Sequence, residues 1–113
     1  MAINYKNQGY DLTTSSSTTV LTISTSTVAI IKEISVTNDD TLAHRVDYSF
    51  HDISTSTTYK FYHSNVPADS HDNAVHNALV LEEGDYLLFT ADTSNVISGQ
   101  ISYALLSRTG ENG

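Results

Sequence analysis

From Leu79 to Asp92 the chain reads Leu-Val-Leu-Glu-Glu-Gly-Asp-Tyr-Leu-Leu-Phe-Thr-Ala-Asp, two apolar runs on either side of a short acidic turn. Leu87, Phe89 and Ala91 alternate with Tyr86, Leu88 and Thr90, the period of two that belongs to a strand. Gly84 can take a positive φ at little cost, and Asp85 can bond its own backbone to close the turn. The stretch predicts a β-hairpin or a sharp corner between two strands. A chain built around such a unit is committed to a β architecture.

The remaining segments agree with it. Val20, Leu21 and Ile23 open an ordered body, and Thr27 to Asn38 is the strongest strand. Val28, Ile30, Ile34 and Val36 fall on one face of that strand, with Ala29 and Ile31 on the other. Lys32 interrupts it, either by running its stem along the core or by marking a bulge that shifts the register. Val46, Tyr48 and Phe50 alternate with polar residues, and Thr58 to His63 returns as a partner strand, which lets Lys60 meet Asp47 or Asp52. Ile101, Tyr103 and Leu105 define the last strand. Seven to eight short strands with no helical segment predict an all-β, single-domain antiparallel β-sandwich of the jelly-roll or Greek-key kind. Residues 1–17 are expected to form an N-terminal arm ordered by a neighbour, with Ile3, Tyr5, Tyr10 and Leu12 as its anchors. Residues 18–107 are the sandwich and 108–113 a polar tail. Ser64 to Asn77 lacks periodicity and holds the single proline, Pro67, so it is expected to be an interaction loop.

The net charge of -8 excludes a phosphate-backbone binder, which needs clustered Lys and Arg. The five basic residues are scattered, so no nucleic-acid partner is expected. The absence of cysteine points to synthesis in a reducing cytosol, and the first residues lack the pattern of a signal peptide. No run approaches the ~20 apolar residues needed to cross a bilayer, so no membrane partner is expected either.

Catalytic and ligand chemistry is thin. Asp69, His71, Asp72 and His76 are the densest set of metal-ligating side chains, but their spacing matches no metal motif, and exposed loop polarity accounts for them. Ser70-His71-Asp72 is consecutive, which triad geometry does not use, and no Gly-x-Ser-x-Gly elbow exists. Glu82-Glu83 sits at a turn as a solvated cap. Seven tyrosines allow a sugar-stacking reading, with Tyr48, Tyr59 and Tyr103 assigned to core faces and Tyr5, Tyr10, Tyr62 and Tyr86 to the surface. No cofactor, metal site or catalytic residue is expected. Tyr62, Pro67, His71 and His76 join the four arm residues as candidate contacts with other subunits.

Two segments carry a resemblance. Thr27-Val-Ala-Ile-Ile-Lys-Glu-Ile-Ser-Val-Thr-Asn38 followed by Val46-x-Tyr48-x-Phe50 resembles one half of small tailed-phage virion proteins of the β-sandwich type. Leu79-x-Leu81-Glu-Glu-Gly84-Asp85-x-Leu87-x-Phe89-x-Ala91 resembles the other half. The resemblance spans about Val20 to Leu106. It implies a non-enzymatic structural role on the virion, in its sharpest form a capsid decoration (cement) protein that binds the outer shell, with the major capsid protein or other virion proteins as partners and a homo-oligomer, a trimer above all, as the working form. A neck, tail or fibre protein of the same virion is the alternative, and a carbohydrate-binding adhesin module is the reading from another class.

Overall fold

A computed structural model describes residues 2–75 and 77–107. Nine strands are present among them: β1 (Ala2–Leu12), β2 (Thr18–Thr22), β3 (Thr27–Asn38), β4 (His44–Asp52), β5 (Thr57–Val66), β6 (Ser70–Asn73), β7 (Leu79–Leu81), β8 (Tyr86–Ala91) and β9 (Ile97–Ser107). They form two antiparallel sheets. One has the order β1-β9-β3-β6, with β7 also on β3, and the other runs β2-β8-β4-β5. Strands β6 and β7 lie end to end along one edge of β3, against Ser35–Asn38 and Ala29–Ile31 respectively. The expected antiparallel β-sandwich is the observed architecture.

The Leu79–Asp92 unit is a corner rather than a hairpin, because β7 belongs to one sheet and β8 to the other. Gly84 takes φ of 87° at its tip, where a Cβ would lie 3.0 Å from a methyl of Ile53. The corner bonds back to the start of the body. Gly84 N–H donates to Ile23 C=O at 2.8 Å and Ile23 N–H to Asp85 C=O at 2.9 Å. Asp85 is buried, and its carboxylate accepts from Ile53 N–H at 3.1 Å and from Glu82 N–H at 2.9 Å. One carboxylate therefore ties the corner to the β4–β5 turn.

Lys32 is a bulge. Register on β9 shifts between Ile31 and Glu33, so Ala29 and Ile31 before it share the core face with Ile34 and Val36 after it. Val28 and Ile30, expected beside Ile34 and Val36, consequently face outward. A second bulge, between Tyr48 and Ser49 of β4, brings both Phe61 and Tyr62 of β5 against the core.

The two sheets close on an aromatic centre. Tyr10 of the first sheet and Tyr48 of the second each meet the Phe89 ring edge to face, at 5.1 and 5.0 Å, a favoured arrangement worth about 1 kcal/mol per pair beyond area. The Tyr10 hydroxyl crosses β9 and donates to Ser35 C=O at 2.7 Å. It passes over Gly99, where a Cβ would lie 1.8 Å from that same carbonyl oxygen, so only glycine fits. Burial pushes the Tyr10 phenol well above its ordinary value, so the hydroxyl stays a donor. Tyr48 shares a hydrogen bond with Ser64 at 3.1 Å inside the core. Every buried side-chain nitrogen and oxygen among the described residues has a partner.

Candidate interaction surface

Strand β1 is an edge strand, paired with β9 from Ala2 to Leu12. Over those residues the segment expected as an arm is part of the sheet. Alternation then divides its anchors. Tyr10 and Leu12 point inward and are buried, so the two of them are core residues and offer nothing to a neighbour. Ile3 and Tyr5 point outward and are 54% and 82% exposed. The reason is parity: residues an odd number apart on a strand face opposite ways.

Ile3 and Tyr5 belong to a larger apolar patch that the sequence pattern hid. In cross-strand register, Tyr5 lies opposite Ala104, Ala104 opposite Ile30, and Ile30 opposite Val80. One turn of the pleat away, Ile3 lies opposite Leu106 and Leu106 opposite Val28. Val80 is 56% exposed, whereas Val28, Ile30 and Leu106 are half-buried among their neighbours. The patch occupies the outer face on one side of the Lys32 bulge. On the other side the same face carries Asn7, Gly9, Asp11, Glu33, Ser35, Thr37, Ser98, Gln100 and Ser102 and is polar throughout. The signal that could have found the patch was Lys32 itself, read as a bulge.

The other predicted contacts scatter. His71 is exposed on β6 beside Thr37, at the polar end of this face. Pro67 is exposed, and its carbonyl accepts from Asn38 Nδ2 at 3.2 Å. Tyr62 lies in the other sheet, half-buried, its hydroxyl donating to Asp72 Oδ2 at 3.4 Å. Burial and the nearby Asp72 carboxylate raise its phenol above the usual range. His76 falls outside the described residues, as does the 108–113 tail. Half of the Ser64 to Asn77 stretch is strand, the end of β5 and all of β6. Among the tyrosines, Tyr59 is exposed at 45% rather than core, on the edge strand β5 with its ring tilted against Phe50 at 5.5 Å.

Ionisable groups gather elsewhere. Among the described residues, Asp52, Glu82 and Asp85 place ligand atoms within 4.8 Å of one another. Asp85 is spent on backbone N–H donors, and Asp52 accepts from Ser54 N–H at 3.1 Å and Ser54 Oγ at 2.7 Å, which lowers its carboxyl below the usual range. The arrangement is a corner tie. At the opposite end of the sandwich buried His44 sits between two carboxylates, Nε2 to Asp40 Oδ2 at 2.6 Å and Nδ1 to Asp92 Oδ1 at 2.7 Å. The Asp40 hydrogen bond holds the imidazole pKa up, and His44 in turn holds the Asp40 carboxyl down. His44 joins Asp40 to Asp92 as a clamp between the two loops.

No protein-family model matches the chain, and no curated protein matches it in sequence. Solved structures do match in fold. A chain of the acidic stable capsid structure of Helicobacter pylori bacteriophage KHP30 superposes with a TM-score of 0.58 at 10% identity, over 96% of this chain and 90% of that one. The structure of infectious bursal disease virus Gx strain gives 0.59 at 8% identity, over 97% of this chain but 34% of that one. A chain from the disulfide-linked pili of Bacillus endospore appendages gives 0.52 at 11% identity, over 91% and 85%. What they share with this chain is the sandwich.

Proposed function

We propose that this chain is a virion structural protein that works without catalysis, by contact with other protein surfaces, and that its place is on the outer shell as a capsid decoration protein. The observation that carries the reading is the exposed apolar half-face of the β1-β9-β3-β7 sheet. Apolar side chains in contiguous rows on a rigid sheet suit association with another protein surface. Two further points support it. The strand orders β1-β9-β3-β6/β7 and β2-β8-β4-β5 interleave as in a jelly roll, an architecture used by viral shells. The near-complete mutual coverage with a chain of a phage capsid structure is of the same kind.

In this reading Ile3 and Tyr5 are contact residues, the working form is an oligomer, and weak contacts gain avidity by repetition on a lattice. The test is to count copies in purified particles by quantitative mass spectrometry. Copy numbers in the tens to hundreds, with the protein lost on mild shell disruption, are expected. A few copies confined to the tail fraction would move it to the neck, tail or fibre, and absence from particles would end the virion reading.

A further inference from the structure

Strand β1 stands at the end of its sheet, so one of its sides meets no strand among the described residues. A strand edge carries a row of backbone N–H and C=O groups, and what fits such a row is another strand. The other edges of the sandwich are interrupted. Strands β2 and β5 each carry an extra residue where their register shifts, and β6 and β7 are separate pieces of four and three residues. Bulges and short pieces are among the ways an edge avoids pairing with another chain. Strand β1 has neither, because its 11 residues pair with β9 in unbroken register and include no proline. Residues 3–9 are exposed, on both faces of the strand. Gln8 Nε2 donates to the Gly9 carbonyl at 3.0 Å, an exposed bond that an arriving strand can displace.

Gly9 says which strand. A glycine inside a strand weakens it and marks a bulge, a bend or the close approach of another group. Gly9 serves none of these within its own chain. Its register on β9 is unbroken, its φ lies outside the left-handed region, and beyond its chain neighbours a Cβ would come no nearer than 3.9 Å to any atom, the Gly99 carbonyl oxygen. Tyr5, 82% exposed, lies on the same face of β1, with Asn7 midway between it and Gly9. We propose that β1 pairs antiparallel with β1 of a second copy, about a two-fold axis through Asn7, so that the two sheets join edge to edge. Tyr5 of each copy then covers Gly9 of the other, an aromatic side chain filling the space where a strand glycine has none. Lys6 falls opposite Gln8, and no charge meets its like. An axis through Lys6 would set the two ammonium groups against each other, and one through Gln8 would put Tyr5 opposite Asp11 and leave Gly9 opposite Asn7. The contact is isologous, residue i meeting j and j meeting i. The inference rests on the association reading above and names the partner. The contact is about 30 Å long but only one strand wide, less than the ~800 Å² per partner of a standard interface, so the dimer is weak and concentration-dependent.

The experiment is sedimentation velocity on the full chain across micromolar to millimolar concentration, with circular dichroism as the check on folding. A monomer–dimer equilibrium is expected. Tyr5→Ala weakens it about tenfold, since each dimer loses two cross-strand pairs. Asn7→Asp sets two carboxylates against each other on the axis and also weakens it about tenfold, an effect that about 0.5 M salt shrinks. The chain has no cysteine, so a single introduced thiol reads the register. With oxidised glutathione, Asn7→Cys links to its own counterpart across the axis, whereas Gly9→Cys, whose two copies stand roughly 14 Å apart, does not. Tyr5, Asn7 and Gly9 are all exposed, so the fold survives each change. A chain that stays monomeric at millimolar concentration overturns the proposal, as does a trimer, a dimer indifferent to Tyr5→Ala and Asn7→Asp, or linking of Gly9→Cys ahead of Asn7→Cys. A monomer that is abundant in particles would sink this interface alone, and a dimer absent from particles would sink the virion reading alone.

Discussion

The two ends of the sandwich are tied by the same kind of side chain in different company. At the corner end, Asp85 accepts hydrogen bonds from two backbone N–H groups, Ile53 and Glu82, and so joins β7–β8 to the β4–β5 turn. At the far end, Asp40 and Asp92 hold the imidazole of His44, and Asn38 sends Nδ2 to the carbonyls of Leu42 and Val66 at 2.8 and 3.0 Å. Asp92 Oδ2 also accepts from Arg45 N–H at 3.0 Å. Amide donors keep their protons at any ordinary pH, whereas an imidazole does not. The difference teaches that one end is a fixed joint and the other a joint whose strength depends on a proton.

The largest effect should come from breaking the fixed joint. Asp85→Ala leaves two part-buried N–H donors without the buried carboxylate that accepts from them, and bonds to a carboxylate are among the stronger ones, so a loss of about 3 kcal/mol is expected. Urea unfolding measures it, and a loss under about 1 kcal/mol would show that the corner is held by its backbone bonds alone. Asn38→Ala attacks the other end. It removes the donor for Leu42 and Val66 and the acceptor for Asp40 N–H, and it is expected to cost about 2 kcal/mol, less than Asp85 because a neutral amide bonds more weakly than a carboxylate. Equal losses from the two variants would erase the asymmetry.

Much of this was legible in the residues, and the exceptions share a cause. The strands, the antiparallel sandwich and the turn at Gly84 follow from alternation and turn chemistry, which are local. The segment ending in Asn38 reads as a strand, but the bond from its amide runs 28 residues along the chain to Val66, which no local pattern reveals. Tyr5 and Tyr10 look alike in a polar stretch, and parity separates them only once Tyr10 has Gly99 to cross and Ser35 to reach. Periodicity assigned Val28 and Ile30 to the face of Ile34 and Val36, and the single extra residue at Lys32 reversed that assignment and created the apolar half-face. The His44 clamp joins residues 48 apart through opposite loops, so nothing in the spacing marks it.

The proton-dependent joint has a sign that can be worked out. Protonated His44 donates from both ring nitrogens, to Asp40 and to Asp92, while the neutral ring must turn one lone pair toward a carboxylate. Its folded pKa lies above the unfolded value of about 6.5, so the native state holds the proton more tightly and stability falls as pH rises. The contribution is complete below about pH 6.5 and is lost as pH climbs through the raised folded value. Asp40, lowered by the same contact, acts in the opposite sense: its contribution is present above about pH 4 and disappears as pH falls through the depressed value. This joint is therefore strongest in the mildly acidic window between the two. Urea midpoints of the wild type should decline from pH 6 to 9 (~3 pH units bracketing the His44 titration), and His44→Gln should flatten that decline. A decline that survives His44→Gln would assign it to another group.

The smallest effect should come from the middle of the molecule, away from both joints. Asp47 meets Lys60 Nζ at 3.4 Å and Arg45 Nε at 3.1 Å, but the three side chains are each about a third to a half exposed. Water already screens these charges, and ordering a lysine chain costs rotamer entropy comparable to what the contact returns. Lys60→Ala should change unfolding stability by less than about 0.5 kcal/mol, and 0.5 M salt should shrink even that. Thermal or urea unfolding of the single variant at low and high salt reads it directly. A loss above about 1.5 kcal/mol would mean that the strand pair β4–β5 depends on this charge cluster, and the contrast between two anchored ends and an unanchored middle would fail.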